Sequence, residues 1–128
     1  MQIPGYLEQQ AALKKAGIDE VMVFCVNDGA VMTAWSKDQG ADDSLLKFYG
    51  DPSGALTKAL GTTLDHPGPQ GKGLYGRTKR FAAIVKDGVV TALEVSESPN
   101  DPAGDDYPES SCAESMLAHL AALAKSEL

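Results

Sequence analysis

Residues 21–35, VMVFCVNDGAVMTAW, and residues 80–95, RFAAIVKDGVVTALEV, carry the reading that decides the fold. In the first, the apolar run from Val21 to Val26 is too short and too rich in β-branched side chains for a helix. Asn27-Asp28-Gly29 ends it, and apolar residues at Val31, Ala34 and Trp35 then follow at helical spacing. The stretch predicts a buried strand feeding a helix that runs to about Gln39. In the second, two β-rich runs flank Asp87-Gly88, a pair that tolerates the positive φ of a tight primed turn. It predicts an antiparallel hairpin whose first strand is Arg80 to Val85. A strand-helix unit and a hairpin together give an α/β fold.

Working outward, residues 48–61 (FYGDPSGALTKALG) predict a short strand and a short helix, with Asp51 as N-cap and Pro52 at the first helical position, where its missing N–H costs nothing. A helix is expected from about Pro4 to Ala16, stopped by Gly17, and a loop from Gly61 to Gly76. Ser96 to Ser110 is rich in Pro, Asp, Ser and Gly and reads as a long solvated loop. The last helix starts at Ser111, which with Glu114 forms a capping box. Met116, Leu117, Leu120 and Leu123 give that helix one apolar face for a sheet. Residues 1–128 are expected to form a single domain, since this length supports one core and no second.

Composition narrows the function classes. A formal net charge of -7 argues against nucleic-acid partners, which bind clustered Lys and Arg. No apolar run is long enough for a membrane span, and no signal peptide is recognisable. Two cysteines and two histidines at scattered positions match no paired metal-ligand pattern, so neither a metal nor a cofactor is expected. The same cysteine usage fits a reducing, intracellular compartment, the cytoplasm by default.

Four blocks, IPGYLEQ (3–9), CVNDGAVMTAW (25–35), GDPSGALTKALG (50–61) and GRTKRFAAIVKDGVV (76–90), resemble the type II peroxiredoxins, the peroxiredoxin-five branch of the thioredoxin-like peroxidases. The resemblance covers nearly the whole chain. It implies a thioredoxin-like fold and the reduction of hydrogen peroxide and alkyl hydroperoxides, with glutaredoxin, glutathione or thioredoxin as reductant. A homodimer is implied as well, and mitochondrion, plastid and peroxisome join the cytoplasm as compartments. In that family a Pro-x-x-x-Thr-x-x-Cys motif, whose cysteine attacks the peroxide, precedes the IPGYLEQ-like block, and it does not occur in residues 1–128. The resemblance thus puts the peroxidatic residue, a cysteine or a selenocysteine, just before Met1. It also implies that a central strand is missing between the two strands of residues 21–26 and 80–85, which leaves a gap in the sheet.

Arg77, in GRTKRF, takes by resemblance the place of the arginine whose charge favours the thiolate and holds the peroxide oxygens. By composition alone it is a solvent-facing member of the basic cluster Arg77, Lys79, Arg80. Cys25, inside an apolar strand, reads as a packed and inert thiol. Cys112 follows the cap Ser111, where the positive end of a helix lowers a thiol pKa. It lies near, but not at, the resolving cysteine of some family members, so a resolving or redox thiol and a plain helix-start residue both stand.

The remaining candidates are weaker. Gly71 to Gly76 matches G-x-G-x-x-G in letters only, since a Pro-rich loop precedes it and a strand follows. His66 and His119 have no nucleophile nearby in sequence; Asp105-Asp106 reads as solvated loop. Ser126-Glu127-Leu128 resembles a peroxisomal tail with an acid in place of a base. Beside the peroxidase, two readings remain: a non-catalytic thioredoxin-like binding module, and a redox-sensing protein that uses Cys112.

Overall fold

The computed structural model describes residues 2–73, 75–97 and 108–126. Asp105-Asp106 and most of the loop before Ser110 lie outside these residues, as do Leu74 of the glycine-rich stretch and the Glu127-Leu128 tail.

The expected first helix is two short ones, α1 (Gln2–Glu8) and α2 (Gln10–Lys15), because Gln9 at φ -98° and ψ 14° leaves the helical region. Pro4 is tolerated in the first turn of α1, where a backbone N–H has no partner inside the helix anyway. Strand β1 (Val21–Cys25) leads through α3 (Gly29–Asp38) to β2 (Leu46–Gly50), and the two strands pair in parallel from Val21 opposite Leu46 to Cys25 opposite Gly50. The predicted strand-helix unit is therefore present, but β1 is half-buried rather than buried, with Met22 exposed, because it has a strand partner on one side only among the described residues. Asp28 caps α3 by accepting from the Val31 N–H at 2.9 Å. Its buried face differs from the expected one: Met32 and Ser36 are buried with Trp35 partly so, whereas Val31 and Ala34 are exposed. Ser36 is tolerated there because its hydroxyl donates to Asp42 at 2.9 Å.

At the end of β2, Asp51 and Pro52 do not start the next helix. Pro52 and Ser53 form a turn, Gly54 takes the left-handed N-cap position at φ 72°, and α4 begins later (Ala55–Ala59). Asp51 reaches across that turn, and its carboxylate accepts from the Leu56 and Thr57 N–H groups and the Thr57 hydroxyl. The capping chemistry is the expected one, displaced by a turn. The expected loop of residues 61–76 contains one more helical turn, α5 (Pro67–Gln70), capped by His66, whose Nδ1 accepts from the Gly68 N–H.

The hairpin is β3 (Phe81–Lys86) and β4 (Val89–Val95) around Asp87 and Gly88, both at positive φ, with an irregularity between Ile84 and Val85. Arg80 lies just before β3 rather than inside it. After β4 a 3-10 turn (Glu109–Ser111) leads into α6 (Ala113–Ser126). The expected capping box is absent: Cys112, extended at ψ 163°, holds the cap position, and its carbonyl accepts from the Met116 N–H. Ser111 is instead fully buried, its hydroxyl turned inward.

The strands form two separate two-stranded sheets, so β1 and β3 each have a strand partner on one side only among the described residues. What joins them is side-chain packing: Phe24 of β1 meets Phe81 of β3 edge-on, with ring centroids 5.6 Å apart. One core gathers Ile3, Ala41 and Leu46 with Val21, Val23, Trp35 and Phe48 around them; Trp35 stands edge-on to Phe48 at 5.1 Å. On the hairpin, Ile84 shares a face with Glu94, which pairs with His119 of α6 at 3.0 Å. Helix α6 buries Ala113 and Met116 and packs against the 3-10 turn before it and against α1, and the Glu94–His119 pair is its link to the hairpin, in place of the expected apolar face on a sheet.

Candidate functional site

The basic segment before β3 is held by backbone bonds to residues 62–64. The Leu64 N–H donates to the Arg77 carbonyl and the Lys79 N–H to the Thr62 carbonyl, around a bridge between Thr63 and Thr78. Its three cations then diverge. Lys79 pairs with Glu97 at 3.0 Å. Arg77 donates to the Val26 carbonyl at 3.1 Å, which sets its charge at the end of β1, beside Cys25. Arg80 turns toward the start of α1, where its Nη1 donates to Gln2 Oε1 at 3.3 Å.

Around Gln2 a polar cluster is built from four parts of the chain. Gln2 Nε2 donates to the Ser111 hydroxyl at 2.6 Å and lies 3.3 Å from the Ser111 carbonyl. The Tyr6 hydroxyl donates to the same carbonyl at 2.7 Å. Ser111 Oγ is 2.7 Å from Ser96 Oγ, which is 3.0 Å from the Pro108 carbonyl. Cys112 borders the cluster, and its thiol donates to Pro108 O at 3.3 Å. Burial, with the Cys112 charge as a second cause, holds the Tyr6 hydroxyl protonated far beyond the usual phenol range.

The two cysteines are placed differently. Burial pushes the Cys25 thiol up, with Arg77 pulling the other way; the thiol expected to be packed and inert is half-buried and has a cation at its side. Cys112 is half-buried, and with the cap position it takes over from Ser111 it stands at the start of α6. Arg77 and Cys112 are both near functional groups, but they share none of these bonds. Arg80 is the residue that sequence reasoning passed over. A signal existed: continuing the alternation of β3 backward, Arg80 falls on the face of Ala82 and buried Ile84.

A shallow cleft between α2 and β2, lined by Lys14, Glu20, Asp43, Lys47 and Tyr49 among others, carries both charge signs and shares no residue with this cluster. Among the described residues, no group of His, Cys, Asp and Glu is placed to hold a metal ion, and no helix is long and apolar enough to cross a membrane.

Comparison with known proteins agrees with this architecture. The redoxin family profile matches residues 1–109. Peroxiredoxin-2B of Arabidopsis thaliana is 41% identical over 93 residues, which is 73% of this chain and 55% of that protein. Hybrid peroxiredoxin hyPrx5 of Haemophilus influenzae is 34% identical over 119 residues, 93% of this chain and 46% of that protein. The crystal structure of reduced Prx3 in complex with hydrogen peroxide, from Vibrio vulnificus, superposes with a TM-score of 0.75 at 36% identity, covering 94% of this chain and 66% of that one. The chain spans about half the length of the curated relatives it matches. These agreements in sequence and in thioredoxin-like fold have one reading: the chain belongs to the redoxin family, on its peroxiredoxin branch.

Proposed function

We propose that the chain is the single-domain C-terminal portion of a thiol-dependent peroxidase that reduces hydrogen peroxide and alkyl hydroperoxides. A thiolate or selenolate attacks one peroxide oxygen; the O–O bond breaks, and the departing oxygen takes a proton and leaves as water or alcohol. The attacking atom is oxidised by two electrons to a sulfenic or selenenic acid; a second thiol condenses with it, expelling water and leaving a disulfide or selenenyl sulfide, which two external thiols then reduce. Glutaredoxin, glutathione or thioredoxin supplies those external thiols in a reducing compartment, the cytoplasm by default. A homodimer is the assembly we expect.

The observation that carries this reading is the guanidinium of Arg80 held against the first turn of α1, the helix at whose start the family keeps its nucleophile. A fixed cation there lowers the cost of a thiolate and of the charge that develops on the leaving oxygen. Arg77 is the residue that resemblance assigns to this role, and substitution separates the two. Arg80→Ala is expected to remove most of the peroxide rate, and Arg77→Ala less. Cys112 is proposed as the second thiol.

The test is hydroperoxide consumption by the native protein from its source, with its intact mass measured alongside. A mass several kDa above the 13.4 kDa of residues 1–128, with turnover, supports the peroxidase. A selenium isotope pattern would identify the nucleophile. A native mass of 13.4 kDa without turnover rejects it.

One observation favours a second, non-catalytic reading: β1 and β3 each have strand pairing on one side only among the described residues. Unpaired strand edges accept added strands. In that reading the protein binds partners without consuming peroxide, and Arg80→Ala leaves binding unchanged.

A further inference from the structure

We infer that Gln2 is a positioning residue for Arg80: its side-chain amide, clamped by Ser111, fixes the direction in which the Arg80 guanidinium faces. Chemistry settles the orientation of that amide. Guanidinium nitrogens only donate, so the end of Gln2 that meets Arg80 is the carbonyl oxygen. A backbone carbonyl only accepts, so the end near Ser111 O is the NH2 group. A planar amide engaged at both ends cannot rotate without breaking a bond at each.

The clamp is itself anchored, and the bonds close into a ring. The Ser96 N–H donates to the Arg80 carbonyl at 2.9 Å, and Ser96 Oγ meets Ser111 Oγ at 2.7 Å. Ser111 Oγ accepts from Gln2 Nε2 at 2.6 Å, and Gln2 Oε1 accepts from Arg80 Nη1 at 3.3 Å. The ring leaves Arg80 by its backbone and returns to it by its side chain. Its four members come from α1, from the segment before β3, from the end of β4 and from the turn before α6. Ser96 and Ser111 are almost fully buried, so water does not compete for the anchoring bonds. Gln2 has no contact with the reacting atoms in this account and acts only through Arg80.

What Arg80 is held ready to do rests on the peroxidase reading; the positioning itself does not, and the experiment separates them. Nitrogen NMR of the 128-residue chain resolves the two Nη groups of Arg80 if rotation about its terminal bond is slowed. We expect resolved signals in the parent chain, rotation about tenfold faster in Gln2→Leu, and slower rotation in Gln2→Glu, whose carboxylate still accepts from Arg80. Backbone amides of residues 81–95 report whether the fold is kept. Averaged Nη signals in the parent chain overturn the inference. So does a folded Gln2→Leu with unchanged rotation, and so does a Gln2→Glu with no slowing, a result available even where the leucine variant does not fold. Rotation that follows Gln2 in a protein that consumes no hydroperoxide supports the positioning and rejects the peroxidase.

Discussion

At Cys25 two neighbours pull one thiol in opposite directions. Burial disfavours its thiolate, and the Arg77 guanidinium favours it, with burial the larger influence. Removing the cation leaves burial unopposed. Arg77→Ala is therefore expected to move the pH profile of iodoacetamide alkylation at Cys25 to higher pH and to slow the reaction severalfold near pH 8. An unchanged profile would show that the Arg77 charge does not reach the thiol. Asp51 titrates in the other sense: the Thr57 N–H, the first of several donors, holds its carboxyl below the usual range. At this scale the sequence was only partly legible. Asp51 was recognisable as a cap, since that follows from local context, whereas Cys25, read as a packed thiol, is half-buried. Which arginine of GRTKRF turns toward α1 was not, because it depends on the strap between residues 62–64 and 77–79, a contact between distant segments. Ser111 likewise looked like a cap until Gln2 and Ser96, far away in sequence, claimed its hydroxyl.

Among the elements, glycines give the sharpest contrast. Gly50 ends β2 where a Cβ would lie 2.5 Å from the Asn27 carbonyl oxygen, so Gly50→Ala must push the end of β2 away from the turn after β1. Gly88 turns the hairpin at φ 80°, a conformation costing an L-residue about 1–2 kcal/mol. Gly5 sits inside α1 with nothing within 4 Å of a Cβ. By urea denaturation, Gly50→Ala and Gly88→Ala are expected to destabilise the chain by roughly 1–3 kcal/mol each. Gly5→Ala should be neutral or stabilise it by up to about 1 kcal/mol. A stable Gly50→Ala would mean that the close approach of β2 to Asn27 is not needed. Element type was well marked in the sequence: apart from the first helix, which is two short ones, the periodic runs became the expected helices and strands, and Asp87-Gly88 made its turn. Helix starts were less legible. The helix after Asp51 begins one turn late, with Gly54 in the left-handed N-cap position and the Asp51 carboxylate reaching across the turn to the Leu56 and Thr57 N–H groups, and the first helix breaks at Gln9 without a proline or glycine to announce it.

For the whole molecule, Tyr6 and Cys25 set the response to alkali. Both groups hold their protons more tightly in the folded chain than an exposed phenol or thiol does. Their contribution to stability is thus intact below the ordinary thiol pKa, about 8.5, and is lost as pH rises toward the folded values. The urea midpoint is expected to fall steadily above about pH 8.5. The double variant Tyr6→Phe, Cys25→Ala should flatten that decline, and an equally steep fall in the variant would assign it to other groups. The α/β class was readable from residues 21–35 and 80–95 alone, whereas the division into two sheets follows from which strand edges find partners. That division has a spectroscopic consequence. The single tryptophan, Trp35, is packed against Phe48 on the parallel pair, while the hairpin carries no indole. Tryptophan emission from residues 1–128 therefore reports on one of the two sheets of the described residues. A change that loosens only the hairpin would pass unseen in a fluorescence titration and would emerge only from a probe placed on β3 or β4.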